Sequence, residues 1–157
     1  MRPAFSDRAA PSTSAGSLAA AMSRTLVIAK PDAVERGLAG EIVARFERKG
    51  LTLVAAELRT VDRDTAAEHY AEHEGKGFYE ELIAFITRSP ALVFVVEGPG
   101  DDTWQMVRLM MGTTNSAEAA PGTIRGDLSP SFTENLVHGS DSAESAEREI
   151  GIWFPEL

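Results

Sequence analysis

Between Pro90 and the Gly98-Pro99-Gly100 break runs Ala91-Leu92-Val93-Phe94-Val95-Val96-Glu97, the most hydrophobic strand the chain offers. A run with so little polarity belongs at the centre of a sheet. A second strand, Thr25 to Ala29, ends in Lys30, and Pro31 cannot continue its ladder. Leu51 to Leu58 is long and apolar enough for a third, although Ala55 and Ala56 leave its inward face open. Helical spacing takes over elsewhere. Gly40 to Lys49 carries Ile42, Val43 and Phe46 and is stopped by Gly50. Arg63 to His73 and Phe78 to Thr87 read as two short helices, the first placing His69 and Tyr70 on different faces. Asp101 or Asp102 can cap a helix bearing Trp104, Val107, Met110 and Met111, and Ser142 can cap another that runs to Ile150. Helices alternating with strands and covering one side of a sheet predict an α/β sandwich. The strand order and direction stay open at this level.

A chain of 157 residues predicts one domain with its own core. Without cysteine it can form neither disulfides nor thiolate metal sites, which leaves only His and carboxylate ligands. Fifteen basic against 24 acidic side chains give a net charge of -9, the wrong sign for nonspecific nucleic-acid binding, although a small positive pocket can lie within an acidic surface. A saline habitat and a plain composition bias both account for the acidity. Residues 1–21, rich in Ala, Ser and Pro with no apolar period, are expected to be a disordered extension ahead of a domain over 22–157, with Met22 as an alternative start. Leu18 to Ala21 is too short for a secretory core or a membrane span, which predicts a cytoplasmic protein without a membrane partner.

The reactive chemistry concentrates in Asn135-Leu136-Val137-His138-Gly139-Ser140-Asp141. There an imidazole, available near pH 7, sits beside a hydroxyl and a carboxylate that can orient it. Glu144, Glu147 and Glu149, on the following helix, are candidates to reach the ring, and spacing does not choose among them. Pro121-Gly122-Thr123-Ile124-Arg125-Gly126-Asp127 is a glycine-bracketed loop with a guanidinium suited to phosphate, and Lys30 delivers an amine at a strand end. Neither a Gly-x-x-x-x-Gly-Lys-Ser/Thr loop nor a Gly-x-Gly-x-x-Gly turn occurs. His69 and His73, four apart with Glu72 near, form a weak metal motif lacking a third ligand at a supporting spacing. Met110, Met111, Trp104 and Trp153 read as packing residues.

These segments, with Lys30-Pro31-Asp32, Arg36-Gly37-Leu38, His69-Tyr70 and Gly112-Thr113-Thr114-Asn115, closely resemble the nucleoside diphosphate kinase family over Ser23 to Leu157. The His-Gly-Ser-Asp segment with Asn three residues before the His is the most specific of them. The resemblance implies a ferredoxin-like α/β sandwich with a four-stranded antiparallel sheet, an inserted helical hairpin around Phe78, and a long loop from Gly112 to Phe132 before the last strand. It implies transfer of the gamma-phosphate of a nucleoside triphosphate, typically ATP, to a nucleoside or deoxynucleoside diphosphate. His138 is then the nucleophile of a ping-pong cycle and Glu149 its carboxylate partner, with help from Ser140. Lys30, Tyr70, Arg108, Thr114 and Arg125 match the phosphate and ribose contacts, and Asn135 and Lys30 the sugar hydroxyl. Phe78 stacks on the base, with Phe132 as the opposite wall, which implies broad base tolerance. Mg2+ arrives with the nucleotide and is touched by Asp141 through water. The implied partners are nucleoside tri- and diphosphates and further copies of the chain, as a hexamer built from dimers, with a tetramer as runner-up and a dimer as the smallest assembly; no specific nucleic acid is implied. Ala33 departs from the family, where glycine is frequent, and the long C-terminal tail of many eukaryotic members is missing. An inactive nucleotide-binding homologue is the competing reading, but His138 and the phosphate-binding arginines are all present.

Deleting residues 1–21 is expected to leave the transfer rate and melting temperature almost unchanged, because the segment has no core-forming period. A coupled phosphotransfer assay and a thermal melt on the same preparation check this, and a large loss in either would show that the segment docks.

Overall fold

The computed structural model describes residues 20–157. The disorder expected of residues 1–21 therefore lies, for 1–19, outside the described residues. Four strands, β1 (Met22–Ala29), β2 (Thr52–Arg59), β3 (Ala91–Pro99) and β4 (Val137–Gly139), form a sheet in the order β2-β3-β1-β4. Every neighbouring pair is antiparallel, with β1 and β3 in register from Met22↔Pro99 to Ala29↔Leu92. Among the described residues six helices lie between the strands, α1 (Pro31–Glu35), α2 (Ala39–Lys49), α3 (Arg63–His69), α4 (Tyr79–Thr87), α5 (Thr103–Met111) and α6 (Ile124–Leu128), and α7 (Ala143–Trp153) follows β4. The succession β1-α2-β2-β3-α5-β4 is the ferredoxin-like core, and α3 with α4 is the hairpin inserted between β2 and β3.

The expectation that helices cover one side of the sheet is corrected here, because both faces are covered. Val27, Ala29, Phe94 and Val96 pack against Ile42 and Phe46 of α2 and Val107 and Met111 of α5. From the same strands, Leu26, Ile28, Val93 and Val95 point the other way, against Ile83 and Ile86 of α4 and Trp153 of α7. Successive side chains of a strand alternate in face, so an unbroken apolar run needs a layer on each side. Each fully buried side chain of this size contributes about 1.5–3 kcal/mol relative to an exposed one. The outermost strand β2 differs: Leu53 is 36% and Leu58 61% exposed.

Smaller departures have local causes. The β1 ladder begins at Met22 rather than Thr25, and Gly100 N donates to Ala21 O at 2.7 Å, so the pairing extends back to the end of the expected extension. The single helix expected over Arg63 to His73 stops after His69; Tyr70 takes φ -97°, ψ 21°, and a short 3-10 turn at Ala71–His73 follows. Asp102 holds the N-cap position of α5 without a side-chain capping bond, and Ser23 Oγ accepts from Thr103 N instead, tying β1 to α5. The long connection before β4 carries a 3-10 turn at Ser116–Glu118 and the short helix α6, whose N-cap Thr123 accepts from Gly126 N. Gly126 cannot be replaced cheaply, since an added Cβ would lie 1.9 Å from Ala120 O, a backbone atom.

Candidate active site

A cavity of about 880 Å³ opens where β1 ends, beside the edge strand β4, between the α3–α4 hairpin and the connection that precedes β4. Eleven of the twelve residues singled out from the sequence line it; the twelfth, Ser140, is fully buried behind the wall.

At the inner end stands His138, in the middle of β4 and paired with Ile28 of β1. The strand can lie this close to α5 because Gly139 has no side chain: a Cβ there would meet Met111 Sδ at 2.6 Å. Ser142 caps α7, accepting from Ser145 N at 3.0 Å, and the helix returns Glu149 to the imidazole. His138 Nε2 lies 3.1 Å from both Glu149 oxygens, and Ser140 Oγ donates to Oε2 at 2.6 Å. Of the three candidate glutamates only Glu149 makes this contact; Glu144 and Glu147 are exposed. Burial alone would raise the Glu149 carboxyl, but the hydrogen bond and charge of His138, with the Ser140 hydroxyl, outweigh it and hold the group at about 2. A carboxylate only accepts, so the proton of a neutral His138 sits on Nε2 and the lone pair on Nδ1.

The cations come from three directions. Lys30, just past β1, bonds to Asn135 Oδ1 and lies 5.1 Å over the Phe85 ring of α4. Burial lowers its ammonium to about 8, with Asp32 opposing and Arg125 adding to the shift, so it remains charged at neutral pH. Arg125 is 6% exposed, and its guanidinium spans three carbonyls: Asn135 O at 3.1 Å, Gly112 O at 2.9 Å and Val137 O at 2.6 Å. Burial and then the charge of Arg108 lower it to about 10. Arg108, near the end of α5, spends one donor on Gly139 O at 3.1 Å. Asn135 Nδ2 reaches Thr114 O and Phe132 O, which ties the two halves of the connection together. At the mouth, Phe78 is 47% and Phe132 61% exposed; the Phe78 ring packs edge-on against His73, with centroids 5.5 Å apart. Tyr70, its phenol pushed up to about 12 mainly by burial, is a neutral donor on the same wall.

His69 and Tyr70, expected on different faces, line one cavity because the helix ends between them. The weak His69/His73 metal motif does not assemble: His69 Nδ1 accepts from Trp153 Nε1 at 3.1 Å, and His73 Nδ1 faces Lys76 Nζ at 3.1 Å. Nitrogen and oxygen atoms of His69, His138 and Glu149 do lie within 4.8 Å of one another. Their hydrogen bonds to the indole and to each other make them a proton-ordered cluster rather than a vacant metal centre. Sequence reasoning missed Phe85 beneath Lys30 and Arg88 at the mouth, where Arg88 Nη2 pairs with Glu35 and Glu134 at 2.8 Å each. The available signal was that Phe85 and Arg88 follow Phe78 at helical spacing on α4.

Because Glu149 is held below its ordinary value, its pairing stabilises the fold fully above the unfolded value near 4.5 and is lost as pH falls through about 2. Glu149→Gln should therefore flatten the acid limb of the stability curve between these values. Urea midpoints from pH 2 to 7 check this, and an unchanged acid limb would contradict the assigned charge.

A sequence model of the family described as nucleoside diphosphate kinase matches residues 23–157. The nucleoside diphosphate kinase of a Nocardioides species is 60% identical over 134 residues, covering 85% of this chain and 98% of that protein. That of Corynebacterium diphtheriae is 58% identical over 135 residues, with the same coverage. Among solved structures, a nucleoside diphosphate kinase family protein from Babesia bovis superposes with a TM-score of 0.82 at 45% identity, covering 85% of this chain and 90% of that one. A halophilic nucleoside diphosphate kinase from Halobacterium salinarum in complex with CDP gives a TM-score of 0.78 at 47% identity over 83% and 86% of the two chains. A family match over residues 23–157, a fold that superposes on solved members at TM-scores of 0.78 and 0.82, and a histidine–carboxylate pair at the head of a cationic cleft have one reading: this chain belongs to the nucleoside diphosphate kinase family and is a phosphotransferase.

Proposed function

We propose that the enzyme moves the gamma-phosphoryl group of a nucleoside triphosphate, typically ATP, to a nucleoside or deoxynucleoside diphosphate through a phosphohistidine at residue 138. The observation that carries this reading is the pairing of His138 Nε2 with Glu149, which leaves the Nδ1 lone pair for attack. Nδ1 forms the bond to the gamma-phosphorus while the bond from phosphorus to the bridging oxygen breaks, and that electron pair leaves on the diphosphate. The ring becomes cationic, and Glu149, already ionised, balances it. A second diphosphate then attacks the phosphohistidine and regenerates the free ring. His138 rather than His69 fits this role, because His69 is 3% exposed and its Nδ1 is taken by the Trp153 indole.

Arg108 and Arg125 neutralise the oxygens of the group in flight, Thr114 and Tyr70 donate to it, and Lys30 with Asn135 reads the sugar hydroxyl. Phe78 and Phe132 bracket the base by its π-face, which discriminates little among bases. The CDP carried by the halophilic relative supports a nucleoside diphosphate as ligand. For the metal, the cleft carboxylate Glu149 is already claimed by His138 and Ser140, while Asp141 is exposed. That donor set fits Mg2+ arriving on the phosphates and met through water, where it shields their charge. Among the described residues no helix is long and apolar enough to cross a membrane. A cytoplasmic setting is part of this proposal.

The same reading includes a symmetric homo-oligomer, a hexamer built from dimers, with a tetramer as runner-up. It is supported by β2, an eight-residue edge strand presenting Leu53 and Leu58 and a backbone edge that no strand pairs among the described residues.

His138→Ala should abolish transfer and leave the fold intact. Incubation with radiolabelled ATP and magnesium, followed by analysis for base-stable protein phosphate, checks it; exchange at near-parent rate by the variant would overturn the assignment. Light scattering coupled to size exclusion should find an active oligomer, strengthened by salt because the chain carries a charge of -9. A fully active monomer at low and high salt would reject the assembly.

A further inference from the structure

In the proposed transfer no bond is made to His69, yet this imidazole is better buried than the nucleophile, 3% exposed. Its Nδ1 accepts the Trp153 indole proton at 3.1 Å, which fixes its own proton on Nε2. The ring stands edge-on to His138, centroids 4.8 Å apart at 80°, and edge-on to Tyr70 at 4.7 Å and 73°. Glu149 and Trp153 are four residues apart on α7 and so share one face. One turn of one helix thus sets the proton on both imidazoles, a carboxylate acting on one and an indole on the other.

A group packed against the nucleophile has two requirements. It must leave the His138 ring no room to turn away from Glu149, and it must carry no charge, because a second cation would oppose the one that forms on His138. His69 meets both: its ring fills the space, and burial, with the His138 charge adding, holds it at about 3, neutral throughout the physiological range. An aliphatic side chain would meet both as well, but it would leave the Trp153 N–H buried without an acceptor.

We propose that His69 is a positioning residue for phosphoryl transfer, locked by Trp153 in one neutral tautomer so that its ring holds His138 with Nδ1 aimed into the cleft. This rests on the assignment of His138 as the phosphorylated residue. Three variants separate the parts of the claim in the full-length protein. Trp153→Phe keeps an aromatic wall and removes the donor, His69→Phe keeps a ring and removes the acceptor, and His69→Asn keeps an acceptor and removes the ring. Single-turnover formation of phosphoenzyme from magnesium ATP is measured beside the nucleotide KM, with imidazole nitrogen NMR on the unphosphorylated enzyme. We expect Trp153→Phe and His69→Asn to slow phosphoenzyme formation on the order of tenfold to a hundredfold with KM within about twofold. In Trp153→Phe the His69 nitrogens should lose their single-tautomer pattern. Phosphoenzyme formation at the parental rate in a folded variant overturns the proposal, as does a loss that appears in KM alone. Should His69→Phe fail to fold, Trp153→Phe and His69→Asn decide the question. If the parent carries no phosphate on residue 138, the transfer assignment itself falls, a result distinct from any difference among variants.

Discussion

Leu136 sits at φ +70°, a backbone conformation that costs a branched, fully buried residue on the order of 1–3 kcal/mol. It is held there from both sides. Its N–H donates to Asp32 Oδ2 at 3.0 Å, its carbonyl accepts from Lys30 N at 2.8 Å, and Val137 N closes back on Asn135 O at 2.8 Å. Arg125 adds a third hold, taking the carbonyls of Asn135 and Val137 on either side. The consequence is geometric. A tight turn at Leu136 sends Asn135 toward Lys30 and, two residues later, sets His138 in the middle of β4. Relaxing Leu136 would shift both Asn135, the residue proposed to read the sugar, and His138, the residue proposed to attack. The strain is stored where the proposed chemistry needs precise spacing, and the bonds that oppose it come from the segments that carry Lys30 and Arg125.

Against this rigid frame the charges are arranged by burial. Glu149 is a desolvated carboxylate that stays ionised because two donors face it, and removing either one would leave a buried charge undersatisfied. The same burial lowers Lys30 and Arg125 but leaves both cationic at neutral pH. Desolvation thus raises the strength of each interaction inside the cleft without costing any of these groups the charge it needs.

Much of this was legible in the residues. The apolar run over Ala91 to Val96 located the central strand, Gly50 and Ser142 marked helix ends that the structure keeps, and the Asn135 to Asp141 segment marked the reactive corner. What stayed hidden was long-range. Periodicity names the face a residue occupies within its own element, but not which element will cover that face, so the two-sided packing of the sheet did not follow from the alternation of helices and strands. The choice of Glu149 over Glu144 and Glu147 depends on where α7 crosses β4, a tertiary fact that the resemblance to known kinases supplied and spacing did not. Phe85 and the place of His69 beside His138 escaped for a related reason. An aromatic residue in an apolar run reads as packing, and a histidine four residues before another reads as a weak metal motif, until the cation above one ring and His138 beside the other are seen.

The acidic surface and the cationic cleft together define what can enter. With a net charge of -9 the exterior repels a long polyanion, whose binding would need many phosphates neutralised at once. Lys30, Arg108 and Arg125 are instead gathered at the inner end of a narrow cavity, where low-dielectric walls concentrate their field on a short phosphate chain. Arg88, nearer the mouth, is committed to Glu35 and Glu134, so its charge is spent bracing the segment that carries Phe132 and Asn135. In the proposed reading, a divalent ion offsets part of the triphosphate charge at the acidic rim, and the terminal phosphates meet these cations at the inner end, next to His138. Selection for a small nucleotide over a nucleic acid then needs no base-reading contact, since it follows from how far inside the cavity the free positive charge is kept.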